Sequence, residues 1–328
     1  MRYSRGAAPT QNSGLPRIIY IGGLGRSGTT LLERMLGELA GVCAAGEIVH
    51  MWQRGVVQSE RCGCGAAFGD CPFWREVGQL AFGGWDRLDV DGIARLRDAV
   101  DRTRFIPQLA SSARRSSGHP DVDEYVGYYL RVYAAIAKVS GGHTIVDSSK
   151  HASLAFCLRT QPELDIRVVH VIRDSRAVAY SWTRKVDRPD SAATTFMTTY
   201  SPAAAAAQWN GQNGALQMLA HTSTPVLRVR YEDLVGSPEQ VMTDVARFAG
   251  VGTSESSLGF LRQDGGGSWA ELGRAHTVSG NPMRFRTGRI DIRADDRWRT
   301  TMPAAQRRTV TALTLPLLAR YGYMGRSA

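Results

Sequence analysis

Residues 17–36 read RIIYIGGLGRSGTTLLERML. Ile18, Ile19, Tyr20 and Ile21 form a short apolar run closed by glycines, the pattern of a buried strand. Gly22, Gly23 and Gly25 allow a sharp turn and a close approach of the backbone to a ligand. Beyond Gly28 the period becomes helical, with Leu31, Leu32, Met35, Leu36 and Leu39 on one face. A strand that enters a glycine turn and then a helix N-terminus gathers unpaired N–H groups at the positive end of a dipole, which suits an anion. Gly23 to Thr30 fits the phosphate-loop pattern G-x-x-x-x-G-K-[ST], except that Thr29 stands where the lysine belongs. That loss argues against ordinary ATP or GTP hydrolysis. Arg26 supplies a cation instead, and Ser27, Thr29 and Thr30 supply hydroxyls. The plain alternative is a glycine-rich structural turn.

GRSGTTLL, residues 25–32, resembles the 5′-phosphosulfate loop of sulfotransferases that use 3′-phosphoadenosine 5′-phosphosulfate (PAPS), in the Golgi and tyrosylprotein branch. Gly25 departs from the proline usual there and loosens the turn. The resemblance implies that Arg26, Ser27, Gly28, Thr29 and Thr30 hold the donor's 5′-phosphosulfate. RDSRAVAYS, residues 173–181, follows an apolar strand and resembles the 3′-phosphate motif of that family, which implies Arg173 and Ser181 as ligands. A guanidinium offers a fork matched to phosphate oxygens. Asp174 and Arg176 read as a structural ion pair, with Asp174 or Ser175 as the N-cap of the following helix. HTVSGNPMRF, residues 276–285, is similar to the loop that closes over the nucleotide, with Ser279, Asn281 and Arg284 as candidates. Tyr231 matches a position near the nucleotide, while Glu232 and Asp233 read as helix-capping residues.

Three residues carry the transfer itself in this reading. Glu47, at the family's spacing after Arg26, is the candidate base for the acceptor hydroxyl; its plain alternative is a structural partner for Arg26 or a helix cap. His50 and His151 are rival bases, because the cytosolic branch uses histidine, and His170 reads as a core residue. Lys150, ending VDSSK, matches the lysine over the oxygen that bridges sulfo group and phosphate. Arg26 completes the catalytic set. The expected reaction needs no metal, since a sulfo group carries less charge than a phosphoryl group. The expected acceptor is a small-molecule hydroxyl, shaped by residues 51–85, 105–120 and 185–202. An ATP-dependent P-loop kinase is the competing enzyme reading.

The 328 residues are 43% apolar and 21% charged, with a formal net charge of +10 from 40 basic and 30 acidic residues. This is the make-up of a globular chain with a core. The positive excess invites a nucleic-acid-binding alternative, but it is spread along the chain and no nucleic-acid motif is spelled, so no nucleic-acid partner is expected. No apolar run approaches the ~20 residues of a membrane span. Residues 1–16 lack an apolar segment and read as a disordered lead, which suggests a cytoplasmic protein with no membrane partner.

The fold class expected is α/β, a P-loop-like parallel sheet flanked by helices, in one domain over residues 17–328 with helical and loop insertions at about 51–140 and 185–222. A short strand is expected to end at Glu47. Residues 52–85 read as irregular, 88–104 and 121–139 as helices, 194–221 as mostly helical, 265–297 as loop, and 302–321 as an amphipathic helix. The tyrosines of 121–139 read as core. Cys62, Cys64 and Cys71 form C-x-C-x6-C in RCGCGAAFGDCPFW, which reads first as structural thiols or a disulfide and second as a metal site completed by Cys43 or His50. No metal ligand is assigned.

Overall fold

The computed structural model describes residues 14–111, 119–189, 195–252, 255–265 and 267–325. The lead is therefore described only from residue 14, and residues 112–118 and 190–194 of the expected acceptor insertions lie outside the described residues. Five strands make the central sheet: β1 (Arg17–Gly22), β2 (Val42–Gly46), β3 (Thr144–Lys150), β4 (Ile166–Ile172) and β5 (Val226–Arg230). Their spatial order is β2–β3–β1–β4–β5 and every pairing is parallel. A sheet covered on both faces needs apolar residues on both, which is why these strands read as near-continuous apolar runs. Ile18 and Tyr20 pack with Ile145, Ile166 and Val168 on one face, whereas Ile19 and Ile21 pack with Val146, Val169, Val171, Leu227 and Val229 on the other. The expected α/β class is the observed one.

The helices are α1 (Thr29–Leu36), α2 (Pro72–Phe82), α3 (Val90–Val100), α4 (Pro120–Ser140), α5 (Ala152–Leu158), α6 (Ser175–Trp182), α7 (Pro202–Leu219), α8 (Pro238–Ala249) and α9 (Ala304–Arg320); α2 and α3 pack on α4, and α9 packs on α6 and α7. On α4 the residues Tyr125, Tyr129 and Tyr133 are fully buried, as core residues should be. Their hydroxyls find partners: Tyr125 donates to Asp101 at 2.9 Å, Trp52 donates to Tyr129 at 3.2 Å, and Tyr133 donates to Asp147 at 2.6 Å.

Several local expectations change. β2 stops at Gly46, one residue early, because Gly46 has φ +90° and a Cβ there would lie 2.2 Å from the carbonyl of Val278. Residues 52–85 are not all irregular: Met51–Val57 is π-helical and α2 follows. The helix expected over 194–221 starts at Pro202, where a missing N–H costs nothing, and Ser201 caps it by accepting from Ala204 N at 3.3 Å. The segment read as loop, 265–297, contains most of an antiparallel sheet, β6 (Leu261–Asp264), β7 (Gly267–Leu272) and β8 (Gly288–Ile292). Ala270, Leu272, Ile290 and Ile292 alternate into the core there, a two-residue period diluted by glycine and charge. α9 buries Val310, Thr314 and Leu318 but exposes Leu313 and Leu315, so its apolar residues are not confined to one face. No helix among the described residues is long and apolar enough to cross a membrane.

Candidate active site

Parallel strands deliver their following residues to one edge, where open α/β sheets hold ligands. Read across the sheet, Glu47 follows β2, Lys150 ends β3, the glycine loop follows β1, Arg173 follows β4 and Tyr231 follows β5. Five candidates that are far apart in sequence therefore line one edge.

The loop is held tightly. Gly23 has φ +145°, and a Cβ there would lie 2.4 Å from the carbonyl of Val171. Gly28 has φ +87°, and its Cβ would strike the Tyr231 ring at 2.6 Å. Arg26 takes φ +75° without being glycine, a strain that clusters at functional sites. Ser27 and Thr29 are buried, and no side chain caps the first turn of α1. Trp182 Nε1 donates to the carbonyl of Gly25 at 3.1 Å, and the Arg26 guanidinium lies 5.2 Å from that indole. Arg173 lies 4.3 Å from the Tyr231 ring, donating through Nη1 to the carbonyl of Arg26 at 3.1 Å and through Nη2 to that of Asp295 at 2.8 Å. Among the described residues, Nε and Nη2 of Arg26 and Nε of Arg173 are buried without a partner. Burial, followed by the nearby Arg184 charge, lowers the Arg26 pKa. Buried cationic donors without acceptors are costly, and a polyanion laid over this edge would satisfy them. Ser181 is half-buried on α6, one residue before Trp182.

The neighbouring charges serve as supports. Asp174 is the N-cap of α6 and forks with Arg176, at 2.9 and 2.6 Å. Glu232 does not cap a helix; it accepts from Asp174 N at 3.2 Å and from the Tyr323 hydroxyl at 2.6 Å. His170 is buried against Asn213 at 2.8 Å, the core role expected of it.

At the other end of the edge Glu47 forms a buried ion pair with Lys150, and Glu47 Oε2 lies 3.5 Å from His50 Nε2. Its partner is thus Lys150; no ion pair joins it to Arg26, and its side chain caps no helix. Burial pushes the Glu47 carboxyl up, but Lys150, with His50 and Arg54, more than offsets that and holds it below the usual range. Burial takes His50 down to about 3, so it is neutral at pH 7. His151 lies edge-on to His50 with ring centres 5.7 Å apart, and its pKa is also lowered by burial.

The segment 276–286 packs on this side of the site. Val278 pairs with the end of β2, and its carbonyl accepts from Glu47 N at 2.8 Å. Ser279 accepts from Arg54 at 2.6 Å, Asn281 accepts from Met283 N at 3.0 Å, and buried Arg284 donates to the carbonyls of Thr277 and Arg61. Ser279 and Arg284 thus tie this segment to the insertion through Arg54 and Arg61, while Asn281 caps its own short turn. The segment that reaches Arg173 and Tyr231 runs through Arg293 and Asp295, whose carbonyls accept from the two side chains.

Sequence reasoning missed Glu33 and Arg34. Glu33 is buried on α1, accepting from Gly46 N at 2.6 Å and from the Ser148 hydroxyl at 2.8 Å, so it fixes the turn that presents Glu47. Arg34 donates to the carbonyls of Arg284 and Gly273, at 2.6 and 2.5 Å. Two adjacent charges inside an apolar helix were the available signal. Burial raises the Glu33 pKa to about 7, from 4.5 in an exposed carboxyl. The folded state then keeps a proton that the unfolded chain releases, so this group's contribution to stability falls as pH rises from about 4.5 to about 7 and is flat above that. Urea midpoints measured from pH 5 to 8 are expected to fall with pH relative to those of Glu33→Gln, a difference on the order of 3 kcal/mol at most. Parallel curves for the two proteins would show that Glu33 does not titrate in this window.

Fold and loop together define a P-loop-type α/β protein. The profile of the sulfotransferase family matches residues 83–255, a little over half of the sequence. The chain belongs to that family, and its activity is sulfuryl transfer. The match carries Lys150, Arg173, Ser181 and Tyr231 and begins after the glycine loop. Among solved structures, a sulfotransferase domain from the Synechococcus PCC 7002 olefin synthase is 21% identical with a TM-score of 0.50, covering 95% of this chain and 98% of that one. It shares the fold. A sulfotransferase domain from the curacin biosynthetic pathway is 15% identical (TM-score 0.48; 91% and 97% covered), and sulfotransferase STF1 from Mycobacterium tuberculosis H37Rv is 16% identical (0.42; 75% and 71%). No curated protein matches the chain.

Proposed function

We propose that this sulfotransferase takes the sulfo group from PAPS and transfers it to the hydroxyl of a small molecule, releasing adenosine 3′,5′-bisphosphate. The observation that carries the reading is the set of buried, unpaired guanidinium nitrogens, Nε and Nη2 of Arg26 and Nε of Arg173, at the carboxyl edge of the sheet. In this reading the loop residues Arg26, Ser27, Gly28, Thr29 and Thr30 hold the 5′-phosphosulfate, Arg173 and Ser181 hold the 3′-phosphate, and Tyr231 backs both the loop and Arg173. Ser279, Asn281 and Arg284 belong to the loop that closes over the nucleotide in this reading, and Val278 of the same loop holds Glu47 N.

The acceptor oxygen attacks sulfur as the bond from sulfur to the bridging oxygen breaks, and that bond's electron pair stays on the phosphate. Loose in-line transfer of this kind is governed by positioning and charge stabilisation. Lys150 faces the oxygen that gains charge, and Glu47, with neutral His50 beside it, takes the acceptor proton. In the resting site Lys150 neutralises Glu47. A donor that draws the ammonium toward its bridging oxygen frees the carboxylate at the moment a base is needed.

The test is thermal. Adenosine 3′,5′-bisphosphate at 100 times its Kd is expected to add about 2.7 kcal/mol of stability. AMP at the same concentration, lacking the 3′-phosphate, is expected to add far less, and Arg173→Ala is expected to erase the difference between them. Equal shifts with AMP would remove the 3′-phosphate assignment. A larger shift with ADP and Mg²⁺ would favour the kinase reading, and one with an oligonucleotide the nucleic-acid reading.

A further inference from the structure

Cys62, Cys64, Cys71 and His276 come together although His276 is more than 200 residues distant from the cysteines. Their ligand atoms all lie within 4.8 Å of one another. Cys71 Sγ is 3.7 Å from Cys64 Sγ, 3.8 Å from Cys62 Sγ and 3.3 Å from His276 Nδ1, and Cys62 Sγ is 3.8 Å from that same nitrogen. Zinc at about 2.3 Å from thiolate sulfur and about 2.0 Å from imidazole nitrogen requires tetrahedral edges of roughly 3.8 Å between sulfurs and roughly 3.5 Å from sulfur to nitrogen. These four separations lie within about 0.3 Å of those edges, and the remaining two pairs are no more than 4.8 Å apart. No two of the cysteines are bonded. One disulfide would use two sulfurs and leave a third thiol and an imidazole nitrogen turned toward it without a reason.

We infer that Cys62, Cys64, Cys71 and His276 bind one zinc ion, as a closed structural site. The fourth ligand is His276, not Cys43, which lies on β2, or His50, which faces Glu47. The chain around the cluster is shaped for the purpose. Cys62 and Cys64 sit in a tight turn where Cys62 N donates to Ala66 O at 2.8 Å and Gly65 N donates to Cys62 O at 2.8 Å, with Gly65 at φ +97°. Cys71 is the N-cap of α2, where the helix favours a thiolate. His276 is stacked on Phe73 with ring centres 4.8 Å apart, and its carbonyl accepts from Trp74 Nε1 at 3.0 Å, which fixes the ring with Nδ1 toward the sulfurs. Gly63 N donates to Thr277 O at 2.9 Å, and a Cβ on Gly63 would lie 2.4 Å from Thr277 Oγ1, so the two segments touch through a glycine. Three thiolates and an imidazole suit zinc and give nothing to magnesium or calcium, which take oxygen ligands. With four protein ligands no position is left for a substrate, so the ion acts on structure.

What it fastens is the back of the acceptor side. It joins residues 62–71 to the segment whose Val278, two residues on, pairs with the end of β2 and accepts from Glu47 N. Gly280 in the same segment stands against the carboxylate, since a Cβ there would lie 3.1 Å from Glu47 Oε1.

The experiment uses the full chain without a histidine tag. Elemental analysis after dialysis is expected to find about one zinc per chain. Replacement by Co²⁺ is expected to give the visible bands of a tetrahedral ion with near-ultraviolet thiolate charge transfer, a readout independent of activity. Cys71→Ser is expected to weaken the charge-transfer band, since two thiolates remain, or to lose the metal, His276→Ala to shift the bands and weaken binding at least tenfold, and Cys43→Ser to leave the spectrum unchanged. A wild-type protein that holds no zinc and gives only six-coordinate cobalt would overturn the site, as would an intact mass two hydrogens low. A cobalt spectrum that survives Cys71→Ser and His276→Ala unchanged would overturn the ligand set. If those variants do not fold, the wild-type cobalt spectrum and zinc content decide alone. Failure of PAPS binding would leave these outcomes untouched.

Discussion

Glu47→Gln is expected to lower kcat for an alcohol acceptor by a factor on the order of 10²–10⁴ while leaving the affinity for adenosine 3′,5′-bisphosphate nearly unchanged. The substitution is almost isosteric and keeps an acceptor for Lys150, so it removes basicity more than shape. The loss is expected to shrink as the acceptor becomes more acidic, because a nitrophenol needs less help in giving up its proton. The measurement is kcat across a series of phenols of falling pKa, in wild type and variant. A deficit that stays constant along the series would make Glu47 a positioning residue, and normal activity would move the base to His50 or His151. The pH profile offers an independent check. In the free enzyme Lys150 holds the Glu47 carboxyl low and burial holds His50 at about 3, so protonation of neither produces an acid limb in kcat/KM between pH 5 and 8. Burial also raises Asp147, on the strand that ends in Lys150, to about 6, so an acid limb in kcat/KM that persists in both Glu33→Gln and Asp147→Asn would mean that another group takes the proton.

The sequence showed the sheet edge because its parts are local. Residues 17–36 spell strand, turn and helix within one window, and Arg173 follows an apolar strand directly, so periodicity and glycine suffice there. Lys150, Glu47 and Tyr231 were named with the help of family resemblance, and the strand order then set them side by side. Contacts between distant segments were not legible. Nothing in HTVSGNPMRF says that His276 meets a C-x-C turn more than two hundred residues earlier, or that Val278 pairs with the end of β2. β7 and β8 were read as loop because glycine, aspartate and arginine dilute a genuine two-residue alternation at Ala270, Leu272, Ile290 and Ile292. The Glu47–Lys150 pair was also hidden: the two were assigned to opposite ends of one transfer, and only the adjacency of β2 and β3 makes them partners.

That pairing sets what is expected of Lys150→Ala. If the ammonium stabilises the oxygen that leaves sulfur, its loss slows the step shared by every acceptor, water included. Removing one preorganised charge-stabilising donor costs on the order of 10²–10³ in kcat. Unlike the Glu47→Gln deficit, this one is expected to stay level across the phenol series, since the acceptor's proton is not what Lys150 handles. The variant also strips Glu47 of the charge that holds its pKa down, and burial, the largest single influence on that carboxyl, is then unopposed by its main partner. The consequence has a definite sign. In wild type the depressed Glu47 pKa contributes stability above the unfolded carboxyl value, and that is lost as pH falls through the folded one. In Lys150→Ala the folded pKa rises, so the contribution changes sign and stability falls as pH climbs past the unfolded value. An acid limb should therefore appear in the rate profile of the variant, and the phenol series is best run above it, where Glu47 is ionised in both proteins. Lys150→Arg restores the charge with a different reach and is expected to recover the low Glu47 pKa with only part of the rate. Release of the bisphosphate at the wild-type rate in Lys150→Ala, or a deficit that disappears with acidic phenols, would take Lys150 away from the leaving oxygen and leave it as the partner of Glu47 alone.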